Sequence, residues 1–301
     1  MSWCDTALFC SNFFMKLFGL VWVLMSTVGV QSLRLFGQRI KAVSFDVTGT
    51  LMVHRFPIMD TYARCAAEAR LCSDPPTSSE LKPAFRQAYK ENLTKYPCFG
   101  SKSTSEREWW RKTVLRSVEL TGKTDYTDRD FERFFRRVYQ HYGGLDGYEV
   151  LDDTLPLLDF LKKAGVDNIG VTTNTPLRTI ETVLPMMGLS DQMRFFTCCQ
   201  DVGHEKPAPE IFAESFEQIC FESGQVIDKK EVLHIGDSFA ADYCGARAFG
   251  FSSLFLDRSN NSRVTVYQDW LEAPPYEGKS DADIRKHTVS SLREVQTLFV
   301  S

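Results

Sequence analysis

The sequence predicts an α/β protein, a doubly wound parallel sheet interrupted by a helical insert. Three observations predict it. Short apolar runs alternate with helical stretches beyond about residue 149, polar clusters close several of those runs, and about ninety residues of helical periodicity separate the first run from the rest.

The first run, Lys41 to Phe45, has the length and apolar content of a buried strand and leads into Asp46-Val47-Thr48-Gly49-Thr50-Leu51. A carboxylate therefore stands at a strand's C-terminal end, the edge at which open parallel sheets bind ligands. Gly49 lets the chain turn sharply away. From His54 to Tyr148 apolar positions recur with helical spacing in Met59 to Leu71, Leu81 to Leu93, Glu108 to Leu120 and Phe131 to Tyr142. Breakers at Asp74-Pro75-Pro76, Pro97 and Gly143-Gly144 separate them. Trp109 and Trp110 read as core aromatics of this insert. Arg86, Tyr89, Tyr96 and Arg111 carry groups able to hold an anion, although charged helix residues ordinarily face water.

The alternation then resumes with helix Asp152 to Lys163, strand Ile169 to Thr173, helix Leu177 to Met187 and strand Arg194 to Cys198. Helix Pro209 to Phe221, strand Val232 to Ile235, helix Phe239 to Phe249 and strand Ser252 to Leu256 complete it. Asn260 to Lys279 reads as a polar loop, and Ser291-Leu292-Arg293-Glu294 has the spacing of a capping box opening a last helix. The predicted organisation is an N-terminal hydrophobic segment over residues 1–36, a catalytic core over 37–53 and 149–301, and a helical cap over 54–148.

The 301 residues carry 35 Lys and Arg against 39 Asp and Glu, with 43% hydrophobic residues. That composition excludes disordered and collagenous classes, and without a basic block it excludes a nucleic-acid partner recognised through its phosphates. Nine cysteines, an odd number without a C-x-x-C pair, predict free buried thiols and neither a disulfide framework nor a zinc site. Leu17 to Leu33 contains no charge, the length of a short membrane span or a signal-peptide core. Membrane association through residues 17–33 and delivery to an organelle are both expectations from this segment. Arg34, Arg39 and Lys41 just beyond it favour an intracellular catalytic domain, and the free cysteines argue against secretion.

Further polar clusters sit at the predicted strand ends: Thr172-Thr173-Asn174, His204-Glu205-Lys206-Pro207, and Gly236-Asp237-Ser238 with Asp242. Together with Asp46 they would converge on one sheet edge, a coincidence that four independent turns do not explain. The ordered set Asp46-Val47-Thr48-Gly49-Thr50, Thr173, Lys206 and Gly236-Asp237-Ser238-Phe239-Ala240-Ala241-Asp242 resembles the haloacid dehalogenase (HAD) superfamily, with its helical C1-type cap inserted after the first motif. Phe85 to Tyr89, Lys95 to Gly100 and Trp109-Trp110 resemble more narrowly the haloacid dehalogenase-like hydrolase domain-containing protein 3 group. The histidines stay outside this set: His234 reads as a strand residue, and His204 neighbours Lys206 in sequence alone.

The resemblance implies a Rossmann-like core and a Mg²⁺-dependent phosphatase acting on a small phosphorylated metabolite. Asp46 would attack in line and become an aspartyl-phosphate, replacing one hard step by two easier ones. Mg²⁺ would be held by Asp46, the backbone carbonyl of Thr48 and Asp237, with Asp242 completing the shell directly or through water. Lys206 would offset negative charge beside Asp46, and Thr173 with Asn174 would hydrogen-bond phosphoryl oxygens. The departure is Thr48, where phosphatases of the superfamily usually carry a second Asp that protonates the leaving group. A hydroxyl cannot shuttle protons near neutral pH, so turnover is expected to be slow. A catalytically weak binding or scaffold protein is the alternative of another class. A 2-haloacid dehalogenase, which needs no metal, fits the intact Asp237 and Asp242 less well, and a phosphonatase would need a Schiff-base lysine in the cap.

Overall fold

The computed structural model describes residues 33–259 and 280–300. Its centre is a six-stranded sheet in the order β10, β9, β8, β3, β6, β7, with every adjacent pair parallel. The strands are β3 (Ala42–Phe45), β6 (Asn168–Thr173), β7 (Phe195–Cys198), β8 (Val232–Gly236), β9 (Ser252–Leu256) and β10 (Thr288–Val289). The three middle strands, β8, β3 and β6, are buried along their whole lengths. This is why their sequences run apolar instead of alternating: helices cover both faces. One face carries Val43, Phe45, Ile169 and Val171 against Leu157, Leu158 and Leu161 of helix Thr154–Lys163 and against Leu292 and Val295 of the last helix. The other sets Ala42, Phe195 and Val232 against Ile211, Phe212 and Ile219 of helix Pro209–Ser223.

From β3 the chain lays down β6 and β7 on one side, then returns to add β8, β9 and β10 on the other. Strand order therefore reverses at β3, and the carboxyl ends of β6, β3 and β8 surround the crevice where such sheets bind ligands.

The insert leaves and rejoins through a two-stranded antiparallel stem, β4 (Met52–His54) paired with β5 (Tyr148–Val150), Met52 opposite Val150. Its four long helices are Ile58–Ala69, Ser78–Lys95, Glu106–Leu120 and Asp128–His141. Thr77 and Thr127 open the second and fourth with reciprocal capping boxes, and Ser105 caps the third. Phe131, Phe134, Phe135 and Val138 recur at helical spacing and bury against Tyr62, Cys65 and Ala66 of the first helix. Trp109 is fully buried and donates its indole N–H to the Tyr96 carbonyl at 2.8 Å, so the core reading of this residue holds. Arg111 is engaged by Glu132 through its Nε at 2.5 Å.

The structure changes two expectations. The first folded residues begin before position 37: β1 (Arg34–Leu35) and β2 (Gln38–Arg39) form a hairpin whose first strand pairs with β11 (Phe299–Val300), and Leu33 and Leu35 are buried in the main core. Pairing with the far end of the chain leaves no local signal, and two-residue strands are too short for one. The helices placed at Leu177 to Met187 and Phe239 to Phe249 begin as wide π-type turns, Thr179–Val183 and Phe239–Cys244. Such turns cluster at functional sites, and the second one carries Asp242. The polar loop at 260–279 lies outside the described residues, as do residues 1–32 of the N-terminal segment. Among the described residues no helix is long and apolar enough to cross a membrane.

A buried ion pair fastens the loop after β9 to the rest. Arg258 grips Asp153 bidentately, Nη1 to Oδ2 and Nη2 to Oδ1 at 3.0 Å each, and Nη2 also donates to the Thr50 carbonyl at 3.0 Å. Asp153 accepts in addition the Leu292 N–H at 2.8 Å. Removing one partner leaves an uncompensated buried charge, which costs about 3–5 kcal/mol. Asp153→Ala is accordingly expected to lower unfolding free energy by about that amount, measured by urea denaturation; a loss below about 1 kcal/mol would show that the pair is solvated.

Candidate active site

Asp46 follows the last residue of β3, and its N–H donates to the Ile235 carbonyl of β8 at 2.9 Å, which fixes the backbone of the strand end. Its Oδ1 accepts from Lys206 Nζ at 2.8 Å and from the Thr173 hydroxyl, the last residue of β6, at 3.0 Å. Among the described residues its Oδ2 accepts no hydrogen bond. Lys206 is fully buried, and besides Asp46 it donates to Asp242 Oδ1 and to the Thr172 carbonyl, each at 2.6 Å. Asp237 follows β8 and accepts from the Thr50 hydroxyl at 3.2 Å. One oxygen from each of Asp46, Asp237 and Asp242 lies within 4.8 Å of the others.

Two glycines make that approach sterically possible. Gly49 has φ +95°, and a Cβ there would stand 2.3 Å from Asp237 Oδ2. At Gly236 a Cβ would stand 2.2 Å from Asp242 Cγ. Gly49 thus serves both the turn expected from the sequence and a close carboxylate approach that the sequence does not disclose. The backbone bonds of that turn end on the Val47 and Met52 carbonyls, leaving the Thr48 carbonyl outside them.

Burial raises the Asp46 carboxyl above its ordinary value, against the opposing charge of Lys206. Burial pushes Asp237 further up, and the charges of Asp46 and Asp242 add to the effect. Asp242 is also buried, but Lys206 and His234 override that and hold its carboxyl well below the usual range. Burial works against the Lys206 ammonium, yet Asp242 and Asp46 keep it protonated. Three carboxylates thus share one ammonium, and the deficit falls on Asp237 and the free oxygen of Asp46. A divalent cation with a preference for hard oxygen ligands would meet that deficit.

All seven expected residues gather at this edge, but three contacts differ from the expectation. Asn174 is committed to the backbone of Lys206: its Nδ2 donates to the Lys206 carbonyl at 2.9 Å and its Oδ1 accepts the Lys206 N–H at 2.7 Å. It positions the lysine loop instead of offering its amide to an anion. Thr173 spends its hydroxyl on Asp46. Asp242 faces Lys206 and His234 through Oδ1 and takes the Ser238 N–H at 2.9 Å on Oδ2, so its first partner is the lysine.

The sequence reading missed a buried polar network. His234 donates from Nε2 to Asp242 Oδ1 at 3.0 Å, and its Nδ1 lies 3.1 Å from the Ser44 hydroxyl. Ser44 meets Thr172 at 2.7 Å, and Thr172 meets Ser215 at 2.6 Å. Because Asp242 only accepts, the direction of the whole row follows: Ser215 donates to Thr172, Thr172 to Ser44, Ser44 to Nδ1 of a neutral imidazole. Burial favours that neutral form. The available signal was a polar residue inside each of three apolar central strands, with Ser44 and His234 directly opposite in register.

A parallel sheet with an acidic, lysine-bearing cluster at its switch point defines an α/β enzyme core. Residues 40–250 match the haloacid dehalogenase-like hydrolase family, and the chain belongs to it. It is similar to mouse haloacid dehalogenase-like hydrolase domain-containing protein 3, 28% identical over 219 residues that cover 72% of this chain and 82% of the mouse protein. The resemblance read from the motifs is therefore borne out. Among solved structures it resembles a 2-haloacid dehalogenase from Pseudomonas syringae pv. Tomato, with TM-score 0.57 and 18% identity, covering 86% of this chain and 97% of that one. A HAD hydrolase from Bacillus subtilis bound to magnesium gives TM-score 0.57 at 16% identity, covering 87% and 99%. At such identities these structures speak for the fold.

Gly49→Ala places a methyl against Asp237 and forces a residue with a side chain into positive φ. The variant is expected to fold with divalent-cation affinity reduced tenfold or so at least, as for disruption of a metal site's supporting contacts. Isothermal titration with Mg²⁺ and Mn²⁺ checks this, and unchanged affinity would separate Asp237 from the cation site.

Proposed function

We propose that this chain is a Mg²⁺-dependent phosphatase of small phosphorylated metabolites that works through an aspartyl-phosphate on Asp46. The observation that carries the reading is the grouping of Asp46, Asp237 and Asp242 around Lys206, with Asp46 Oδ2 unengaged. Asp46, Asp237 and the Thr48 carbonyl are the oxygens suited to hold Mg²⁺, with Asp242 behind them. When bound, Mg²⁺ supplies charge neutralisation for an incoming phosphate dianion.

The chain's own groups do the rest. Lys206 and Thr173 pin Asp46 Oδ1, orienting the carboxylate and opposing the upward pull of burial on its pKa. Attack by Asp46 forms the O–P bond of the acyl phosphate as the ester oxygen leaves. Water then cleaves that bond and releases inorganic phosphate. Asn174 holds the lysine loop, and His234 holds Asp242, so that the ammonium stays between its two carboxylates.

Thr48 is half-buried, and among the described residues its hydroxyl makes no hydrogen bond. Lacking a carboxylate there, the enzyme is expected to turn over slowly, since general acid–base catalysis contributes typically 10²–10⁴-fold. This same residue favours the second reading, a binding protein with residual chemistry. A phosphonatase finds less support, because the lysine against Asp46 belongs to the core.

Hydrolysis of p-nitrophenyl phosphate by the purified chain is expected to be weak and Mg²⁺-dependent, and to fall roughly 10³-fold or more in Asp46→Asn. Full activity in EDTA would remove the metal from the reading. Release of halide from 2-chloropropionate in its place would establish the dehalogenase.

Thr48→Asp is expected to raise turnover about 10–100-fold on alkyl phosphates, whose leaving groups need a proton, and less on nitrophenyl esters. Single-turnover and steady-state rates separate formation of the aspartyl-phosphate from its hydrolysis. No gain in either phase, with fold and Mg²⁺ binding intact, would favour the binding protein.

A further inference from the structure

A second group of metal-ligating side chains lies apart from the acidic cluster. Cys98 stands in a turn of the insert, where Cys98, Phe99 and Gly100 all have positive φ. Cys199 directly follows β7, and Glu205 immediately precedes Lys206. Their two sulfurs and one carboxylate oxygen lie within 4.8 Å of one another. Both cysteines are buried, at 2% and 0% exposure, and Glu205 is half-buried. A tetrahedral zinc ion, with Zn–S near 2.3 Å and Zn–O near 2.1 Å, requires ligand atoms about 3.6–3.8 Å apart. The 4.8 Å bound on their separations exceeds that spacing by about 1 Å.

We propose that Cys98, Cys199 and Glu205 form a metal site for a thiophilic dication such as Zn²⁺, joining the insert to the loop that carries Lys206. Two thiolates favour a borderline-soft ion over Mg²⁺, which the oxygen-only cluster around Asp46 suits instead. On binding, Cys98 and Cys199 each release a proton to solvent, Glu205 contributes its carboxylate, and water fills the fourth position. Glu205 already accepts the Cys98 N–H at 3.0 Å, which brings its carboxylate to the insert's turn. Burial raises the Glu205 carboxyl, and its contact with Cys98 opposes that shift. Burial likewise holds the Cys199 thiol protonated until a cation displaces the proton. The cysteine spacing argued against a zinc site because its ligands are about a hundred residues apart; the fold brings them together.

The experiment uses the full chain, reduced, stripped by chelation and titrated with Co²⁺. A near-ultraviolet thiolate-to-cobalt charge-transfer band is expected to saturate at roughly one equivalent, to be bleached by Zn²⁺, and to survive excess Mg²⁺. It should vanish in Cys98→Ser and Cys199→Ser and persist in Asp237→Asn, which separates this site from the acidic cluster. Absence of the band in the parent, or its survival in both serine variants, would overturn the proposal. Should the serine variants fail to fold, alkylation of Cys98 and Cys199 in the parent, mapped by mass spectrometry, is expected to slow about tenfold or more with saturating Zn²⁺. Equal rates with and without Zn²⁺, or a Cys98–Cys199 disulfide in place of metal uptake, would equally overturn it.

Discussion

The buried ammonium of Lys206 is the interaction on which the rest of this site depends. It touches Asp46, Asp242 and the Thr172 carbonyl, and it sits where an isolated charge costs several kcal/mol in lost hydration. Two carboxylates and a carbonyl offset that cost only if their positions are held. Asn174 accordingly clamps the backbone of Lys206 from both ends of its amide, while His234 and the Ser238 N–H hold Asp242. The row from Ser215 through Thr172 and Ser44 to His234 runs across the middle of the sheet for the same purpose, since each hydroxyl buried there must find a partner.

A second set of constraints acts on Asp237. Arg258 binds the Thr50 carbonyl, the Thr50 hydroxyl binds Asp237, and Gly49 supplies the space that lets that carboxylate come near. Arg258 is itself held by Asp153, whose other partner is the start of the last helix. The geometry of one carboxylate thus rests on contacts reaching from the first motif to the end of the chain. Asp46 and Lys206 are held independently, by β6, β8 and the lysine loop. The two sets of contacts meet where the three carboxylates approach one another.

Thr48 sets the chemical boundary. Asp46, Asp237 and Asp242 bring their oxygens together beside Lys206, whereas position 48 carries a hydroxyl and no carboxylate. On the proposed reading, a hydroxyl at position 48 bears on which leaving groups suit the site, since it cannot deliver a proton near neutral pH. The insert packs on the core through Phe99 and Trp109, which share one buried cluster with Ile211 and Phe212.

The sequence by itself determined the parallel sheet, the helical insert and the strand-end positions of Asp46, Thr173 and Asp237, because these rest on local signals. A fully buried strand is a short apolar run, an amphipathic helix repeats with its own period, and a polar residue just past such a run stands at the strand end. Lys206 and Asp242 were legible through the order and spacing of motifs that the resemblance supplied. Tertiary structure alone decided what each side chain touches. Asn174 turned to the lysine backbone, Asp242 to Lys206 and His234, and Leu33 to Phe36 joined the fold, all through contacts between distant parts of the chain. Ser44 and His234 are 190 positions apart and become neighbours only when β3 and β8 pair in register. Cys98 reaches Cys199 and Glu205 only when the insert closes on the core. No local propensity encodes such pairings; they follow from strand register and helix packing, which exist only once the whole chain has folded.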